Sequence, residues 1–129
     1  MKVLALDYGP ARTGVAVSDP TGSLARPLCV VERAASDAGL ARLGELVRAE
    51  AAERVVVGLP LTLRGERGEQ ARETERFAEA LRGSVGVPVE LFDERFTTDL
   101  AEAGGRAPED ARAAAHLLAS YLAWSSRPI

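Results

Sequence analysis

Val3-Leu4-Ala5-Leu6-Asp7-Tyr8-Gly9 is the stretch on which the reading of this chain turns. Its unbroken apolar run predicts a strand covered on both faces, and therefore a central one. The strand ends on a carboxylate and a glycine turn. A charge at the tip of a buried strand is costly unless something pairs with it. A metal ion is a natural partner; an Asp that bonds its own backbone in a turn is the plainer alternative. Working outward, Arg12 to Asp19 sets Val15 and Val17 against Ala16 and Ser18, which predicts a second strand. The short Tyr8-Gly9-Pro10-Ala11 link makes the pair an antiparallel hairpin. Beyond the turn Asp19-Pro20-Thr21-Gly22, Pro27 to Glu32 predicts a third strand.

Helices and strands alternate after that point. Ser36 to Ala52 suits a helix with Leu40, Leu43, Leu46 and Val47 on one stripe. Arg54 to Leu59 is a buried strand. Glu66 to Arg82 is a second amphipathic helix, with Ala71, Thr74, Phe77, Ala78 and Leu81 on a shared face and Gly83 as its cap. Pro88 to Phe92 is a fifth strand. A short helix is expected after Thr97, and Pro108 opens a last helix running to about Trp124. Helical crossovers place the last two strands parallel to a neighbour. The expected fold class is α/β: a five-stranded mixed sheet, three antiparallel strands then two parallel, with helices on both faces. At 129 residues the chain suits one domain, 1–129. Ligands in such sheets bind outside the carboxyl ends of the strands, where the topology switches. Asp7 and the end of the fifth strand both fall there.

Three carboxylates can converge at that end. Asp7 closes the first strand, and Asp93 or Glu94 closes the fifth. Asp110 lies in the first turn of the last helix, on the same face as Ala114, Leu117, Leu118 and Tyr121. It either joins the other acids or complements the helix dipole. Oxygen-only donors suit Mg2+ or Mn2+. Two such ions can hold the attacking water and the leaving oxygen of a phosphodiester displacement, so the protein needs no nucleophile of its own. His116 is expected to be a surface or packing residue. Cys29, in Leu28-Cys29-Val30-Val31, has no second cysteine to pair with and reads as a small buried hydrophobe, which suits a reducing cytoplasm. No apolar stretch approaches the length of a membrane span, so a soluble cytoplasmic protein is expected.

The net charge of −3 argues against an overall basic nucleic-acid binder. A local patch remains open, because nearly all of the 16 basic residues are arginine, the better phosphate fork. Arg12 beside the first glycine turn, Arg64 and Arg67 in the loop Leu63-Arg64-Gly65-Glu66-Arg67-Gly68, and Arg95 beside the fifth strand are the candidates. That loop is not a P-loop, since no Gly-Lys-Ser/Thr follows.

Several stretches, in order along nearly the whole chain, resemble the YqgF/RuvX family. They are 3–9, Gly14-Val15-Ala16-Val17-Ser18-Asp19-Pro20, Val57-Gly58-Leu59-Pro60-Leu61 with Gly65 and Gly68, Asp93-Glu94-Arg95-Phe96-Thr97-Thr98, and Asp110 through Tyr121-Leu122. The family is similar to RuvC-type Holliday-junction resolvases. The resemblance implies an RNase H-like fold and a metal-dependent endonuclease acting on structured nucleic acid, either precursor 16S rRNA or branched DNA in recombination and repair. It also implies that Asp7, Glu94 and Asp110 are the metal-binding catalytic carboxylates, which selects Glu94 over Asp93 at the fifth strand. Thr97 and Thr98 would then donate to a phosphate or cap the next helix. Relatives often carry several basic residues before the last helix. Here Ala103-Gly104-Gly105-Arg106-Ala107 offers only Arg106.

Two other readings compete. One is a non-catalytic module of ribosome or nucleic-acid complexes that keeps the fold. The other is an ATP-binding domain of the actin and sugar-kinase type, which needs two such domains where this length allows one. Resolving a junction takes two active sites, so a two-fold homodimer enters with that substrate. Trp124, Tyr121 and Ile129 are candidates for its face, with core packing an equal account of Tyr121.

Overall fold

The computed structural model of the chain describes residues 1–62, 64–96 and 108–126. Five strands form one sheet: β1 (Val3–Asp7), β2 (Arg12–Ser18), β3 (Ala25–Glu32), β4 (Arg54–Leu59) and β5 (Val89–Asp93). Three helices are described: α1 (Asp37–Ala49), α2 (Glu69–Arg82) and α3 (Glu109–Ser125). The strand order is β3-β2-β1-β4-β5. β2 runs antiparallel to β1 and to β3, while β4 is parallel to β1 and β5 to β4. β1 is thus the central strand and the place where the sheet changes sense, as its apolar run predicts.

Side chains alternate between the faces of a strand, so even an all-apolar strand serves two cores. Leu4, Leu6, Val15, Val17, Val55 and Val57 pack on one face against Leu43, Leu46 and Val47 of α1 and Phe77, Ala78 and Leu81 of α2. Val3, Ala5, Ala16, Val56 and Phe92 meet Ala114, Leu117, Leu118, Tyr121 and Leu122 of α3 on the other. Each fully buried Leu or Val contributes about 1.5–3 kcal/mol. Cys29 is a free, half-buried thiol packed against the first core.

The departures from expectation are local. α2 begins at Glu69 rather than Glu66 because Thr62 closes a turn there. Its carbonyl accepts from Gly65 N at 2.8 Å, its N–H donates to Glu66 O at 3.0 Å, and its hydroxyl accepts from Glu66 N at 3.0 Å. A chain bent this way is not yet helical. Gly83 is the C-cap of α2, but in the ordinary right-handed conformation. Pro108 is the N-cap of α3 rather than its first residue. β3 starts two residues before Pro27, which an edge strand tolerates. A single 3₁₀ turn, Glu94–Phe96, follows β5 directly, and the helix expected after Thr97 lies outside the described residues. No described helix is long and apolar enough to cross a membrane.

Candidate catalytic site

The carboxyl ends of β1 and β5 and the first turn of α3 come together at one rim of the sheet. Asp7 is the last residue of β1 and is half-buried. The chain leaving it is fixed by Thr13, whose fully buried hydroxyl donates to Gly9 O at 3.3 Å and accepts from Gly9 N at 3.4 Å. At the end of β5 the Asp93 carboxylate accepts from the backbone N of Arg95 at 2.9 Å and from its guanidinium, at 2.6 Å from Nη2. This clip closes the 3₁₀ turn around Glu94, and the Arg95 hydrogen bonds hold the Asp93 carboxyl below the usual carboxylate range.

Glu94 lies across Gly58 of β4. A Cβ on Gly58 would stand 2.6 Å from Glu94 Oε1 and 3.0 Å from its Cγ, so the strand leaves a hollow that only hydrogen fits. Burial pushes the Glu94 carboxyl up to about 7, helped by the charge of Asp7, a hydrogen bond with Asp7 and the charge of Asp93. Asp7 is raised as well, first by burial and then by the negative charge of Asp110, while the hydrogen bond from Glu94 offsets part of the rise. Asp7 therefore couples to both other acids, and the raised carboxyls of Asp7 and Glu94 favour a proton between them. The proton is one answer to crowded carboxylates.

Arg12 is the other. Its Nε donates to Oδ2 of Asp110 at 2.9 Å, and its Nη2 completes the ion pair at 2.8 Å from the same oxygen. Asp110 reaches this position because α3 sits directly on β2: a Cβ on Gly14 would overlap the Asp110 carbonyl. Among the described residues, no three His, Cys, Asp or Glu side chains gather closely enough to hold a metal ion. The donor set is nonetheless of the right kind. It offers oxygen ligands only, a proton that a cation would displace, and a hollow at Gly58 that admits the second carboxylate.

The remaining basic candidates divide. Arg67 is tied to Glu75 at 2.8 Å and Arg95 to Asp93. Arg64 is exposed and makes no hydrogen bond or ion pair among the described residues. The tip of its loop lies beside the site, since a Cβ on Gly65 would be 3.1 Å from Arg95 Nη1. Thr97, Thr98 and Arg106 lie outside the described residues. Tyr121 is a core residue, 2% exposed, whose hydroxyl donates to Glu90 and accepts from Arg54, both at 2.9 Å. Trp124 is partly exposed and packs on Phe92 and Tyr121. His116 is half-buried on α3.

Gly58, Gly14 and Thr13 shape the site without standing among the sequence candidates. For the glycines a signal was present: a glycine inside an otherwise apolar strand marks a close approach of another group.

A family model described as RuvX: Holliday junction resolvase matches residues 1–124. A Chloroflexus aurantiacus protein bearing the name "Putative pre-16S rRNA nuclease" is 47% identical over 100 residues, covering 78% of this chain and 65% of that protein. The chain thus spans a little under two thirds of that relative's length. A Moorella thermoacetica protein of the same name is 41% identical over 132 residues, covering 95% of this chain and 94% of the other. Among solved structures, T. thermophilus RuvC in complex with Holliday junction substrate superposes with a TM-score of 0.67 at 21% identity, covering 97% of this chain and 94% of that one. The architecture is therefore the RuvC-like, RNase H-like fold, and RuvC-like nucleases generally use divalent metal ions. With a match that runs over nearly its whole length, this chain belongs to the RuvX family.

Proposed function

We propose that the chain works as one nuclease domain, residues 1–129, that hydrolyses phosphodiester bonds in structured RNA, with precursor 16S rRNA as its substrate. The observation that carries this reading is the position of Asp7, coupled to both Glu94 and Asp110 at the rim where the sheet changes sense. Asp7, Glu94 and Asp110 would hold Mg2+ or Mn2+. Bound there, the ions would supply an activated water and polarise the scissile phosphate. The chain's own residues do the rest. Asp93 and Arg95 hold the turn that aims Glu94, and Gly58 leaves room for its carboxylate. The proton shared by Glu94 and Asp7 must depart before both can act as ligands. Among the described residues, Arg64 at the loop tip is the best placed cation for a neighbouring phosphate, and such contacts position a strand without reading its sequence. Trimming an RNA end needs a single site. The names borne by relatives at 41–47% identity support precursor rRNA. The family description supports four-way DNA junctions as a second substrate, which would bring in a homodimer.

The test is cleavage by the purified protein of precursor 16S rRNA and of a four-way DNA junction, each with Mg2+ or Mn2+, beside Asp7→Asn. Cleavage of the RNA that the substitution abolishes is expected. Preferential cleavage of the junction would replace the substrate. Cleavage of neither would leave a binding module, and cleavage surviving in Asp7→Asn would remove Asp7 from the site.

A further inference from the structure

We infer that Arg12 is the resident counter-cation of Asp110, a positioning residue that a metal ion must displace before the third carboxylate can join the other two. The inference rests on the metal-site reading above and goes beyond it in naming what occupies the ligand beforehand. One guanidinium closes on Asp110 Oδ2, with a hydrogen bond from Nε at 2.9 Å and an ion-pair contact of Nη2 at 2.8 Å, across 98 residues of sequence. Asp110 is close enough to Asp7 to raise its carboxyl, yet while it is held by Arg12 the acids form no metal-sized group among the described residues. The two ends of the pair are unequally anchored. The Asp110 backbone is seated on Gly14, whereas the Arg12 side chain is 64% exposed against 32% for Asp110. The arginine is therefore the partner that can leave without unpacking anything.

A positive charge bound to a ligand oxygen opposes a second cation in two ways. It occupies a lone pair, and it repels the incoming charge at short range. It also relieves the repulsion between Asp110 and Asp7 while no ion is bound. Once displaced, the guanidinium stands at the rim beside the first glycine turn, free to take one phosphate oxygen. That gives Arg12 one role before the ion binds and another after it.

The experiment is calorimetric titration of the purified protein with Mn2+ alone, comparing the unaltered chain with Arg12→Gln and Arg12→Lys and with Asp7→Asn as a site control. Removing an exposed ion pair of this kind should tighten Mn2+ binding about fivefold in Arg12→Gln. Arg12→Lys should fall between Arg12→Gln and the unaltered chain, since it keeps the charge but loses the fork. Melting of the metal-free variants monitors the fold, and an unchanged transition assigns the affinity change to the site. Equal or weaker Mn2+ binding in Arg12→Gln, with binding by the unaltered chain lost in Asp7→Asn, overturns the inference alone. It would make Arg12 a support that orients Asp110 for the ion. Absence of Mn2+ binding in the unaltered chain and in Arg12→Gln overturns the metal reading together with it.

Discussion

Glu94→Gln in metal-free protein separates the electrostatics of the site from its chemistry. The Glu94 carboxyl stands at about 7 in the folded chain against an ordinary 4.5, chiefly because it is buried and faces Asp7. Between those two values the folded state holds a proton that the unfolded state has released, so stability falls as pH rises through the window. The contribution is complete below about 4.5 and gone above about 7. Taken at face value, the shift corresponds to about 3.4 kcal/mol. Glu94 is only half-buried, and solvent screening reduces this to about 2 kcal/mol. The substituted amide keeps a donor for Asp7 and carries no charge at any pH. The variant should therefore melt with the unaltered chain at about pH 4.5 and above it by about 6–10 °C at pH 8, given roughly 3–5 °C per kcal/mol for a chain of this size. The assay is thermal unfolding with chelator across that pH range. Millimolar Mn2+ should reverse the order at high pH, because only the carboxylate gains a ligand bond. Parallel melting curves at every pH would refute the reasoning, since they would mean that Glu94 is neither desolvated nor pressed by Asp7.

Gly58→Ala should keep the fold and lose the activity: the atoms nearest the new methyl all belong to the Glu94 side chain, none to backbone, so Glu94 yields while β4 stays. A displacement of about 1 Å at a catalytic group costs on the order of 10²-fold in rate, read as kcat beside a melt that changes little. Gly14→Ala should do the reverse in stability. Its Cβ would collide with the backbone of α3 at Asp110 and stand 3.0 Å from Ala111 N, so the helix must lift, at a cost of about 2–3 kcal/mol in urea unfolding. Arg64→Ala should weaken binding to all RNA sequences alike and lower the slope of log affinity against log salt by about one. An unchanged slope removes the loop from the phosphate track.

How much of this was legible in the sequence depends on the distance over which each residue is determined. The sheet was legible because β1 and β4 are apolar at nearly every position and only a central strand tolerates that. The α2 stripe was legible because Ala71, Thr74, Phe77, Ala78 and Leu81 repeat at helical spacing, and all five are buried. Asp7 and Asp110 were visible as charges at the ends of apolar elements. Periodicity could not choose between Asp93 and Glu94, because consecutive residues beyond a strand end follow no alternation. What separates them in the structure is the Arg95 clip on Asp93, a local turn whose closure depends on rotamers. The start of α2 was misplaced for the same reason: the Thr62 turn is held by hydrogen bonds that hydrophobic spacing does not encode. The pairing of Arg12 with Asp110 was invisible, since it joins elements far apart in the chain; the glycine inside β4 signalled a close approach, but not that Glu94 makes it.

Those long-range contacts bear on how a protein of net charge −3 meets a polyanion. Arg12, Arg67 and Arg95 are each paired with a carboxylate, so they add little positive potential while those pairs hold. Asp7 and Glu94 can shed negative charge by sharing a proton, but only toward lower pH. Among the described residues, the rim of the metal-free chain thus offers a phosphate backbone little unpaired positive charge beyond Arg64. Placing divalent charge on the acids changes the sign of that rim and, on the reading given above, frees Arg12 at the same moment. Substrate affinity should then depend on the ion as steeply as catalysis does. By reciprocity a nucleic acid that binds should tighten the ion by the same factor. A chain whose RNA affinity is the same with chelator as with Mn2+ would not work in this way.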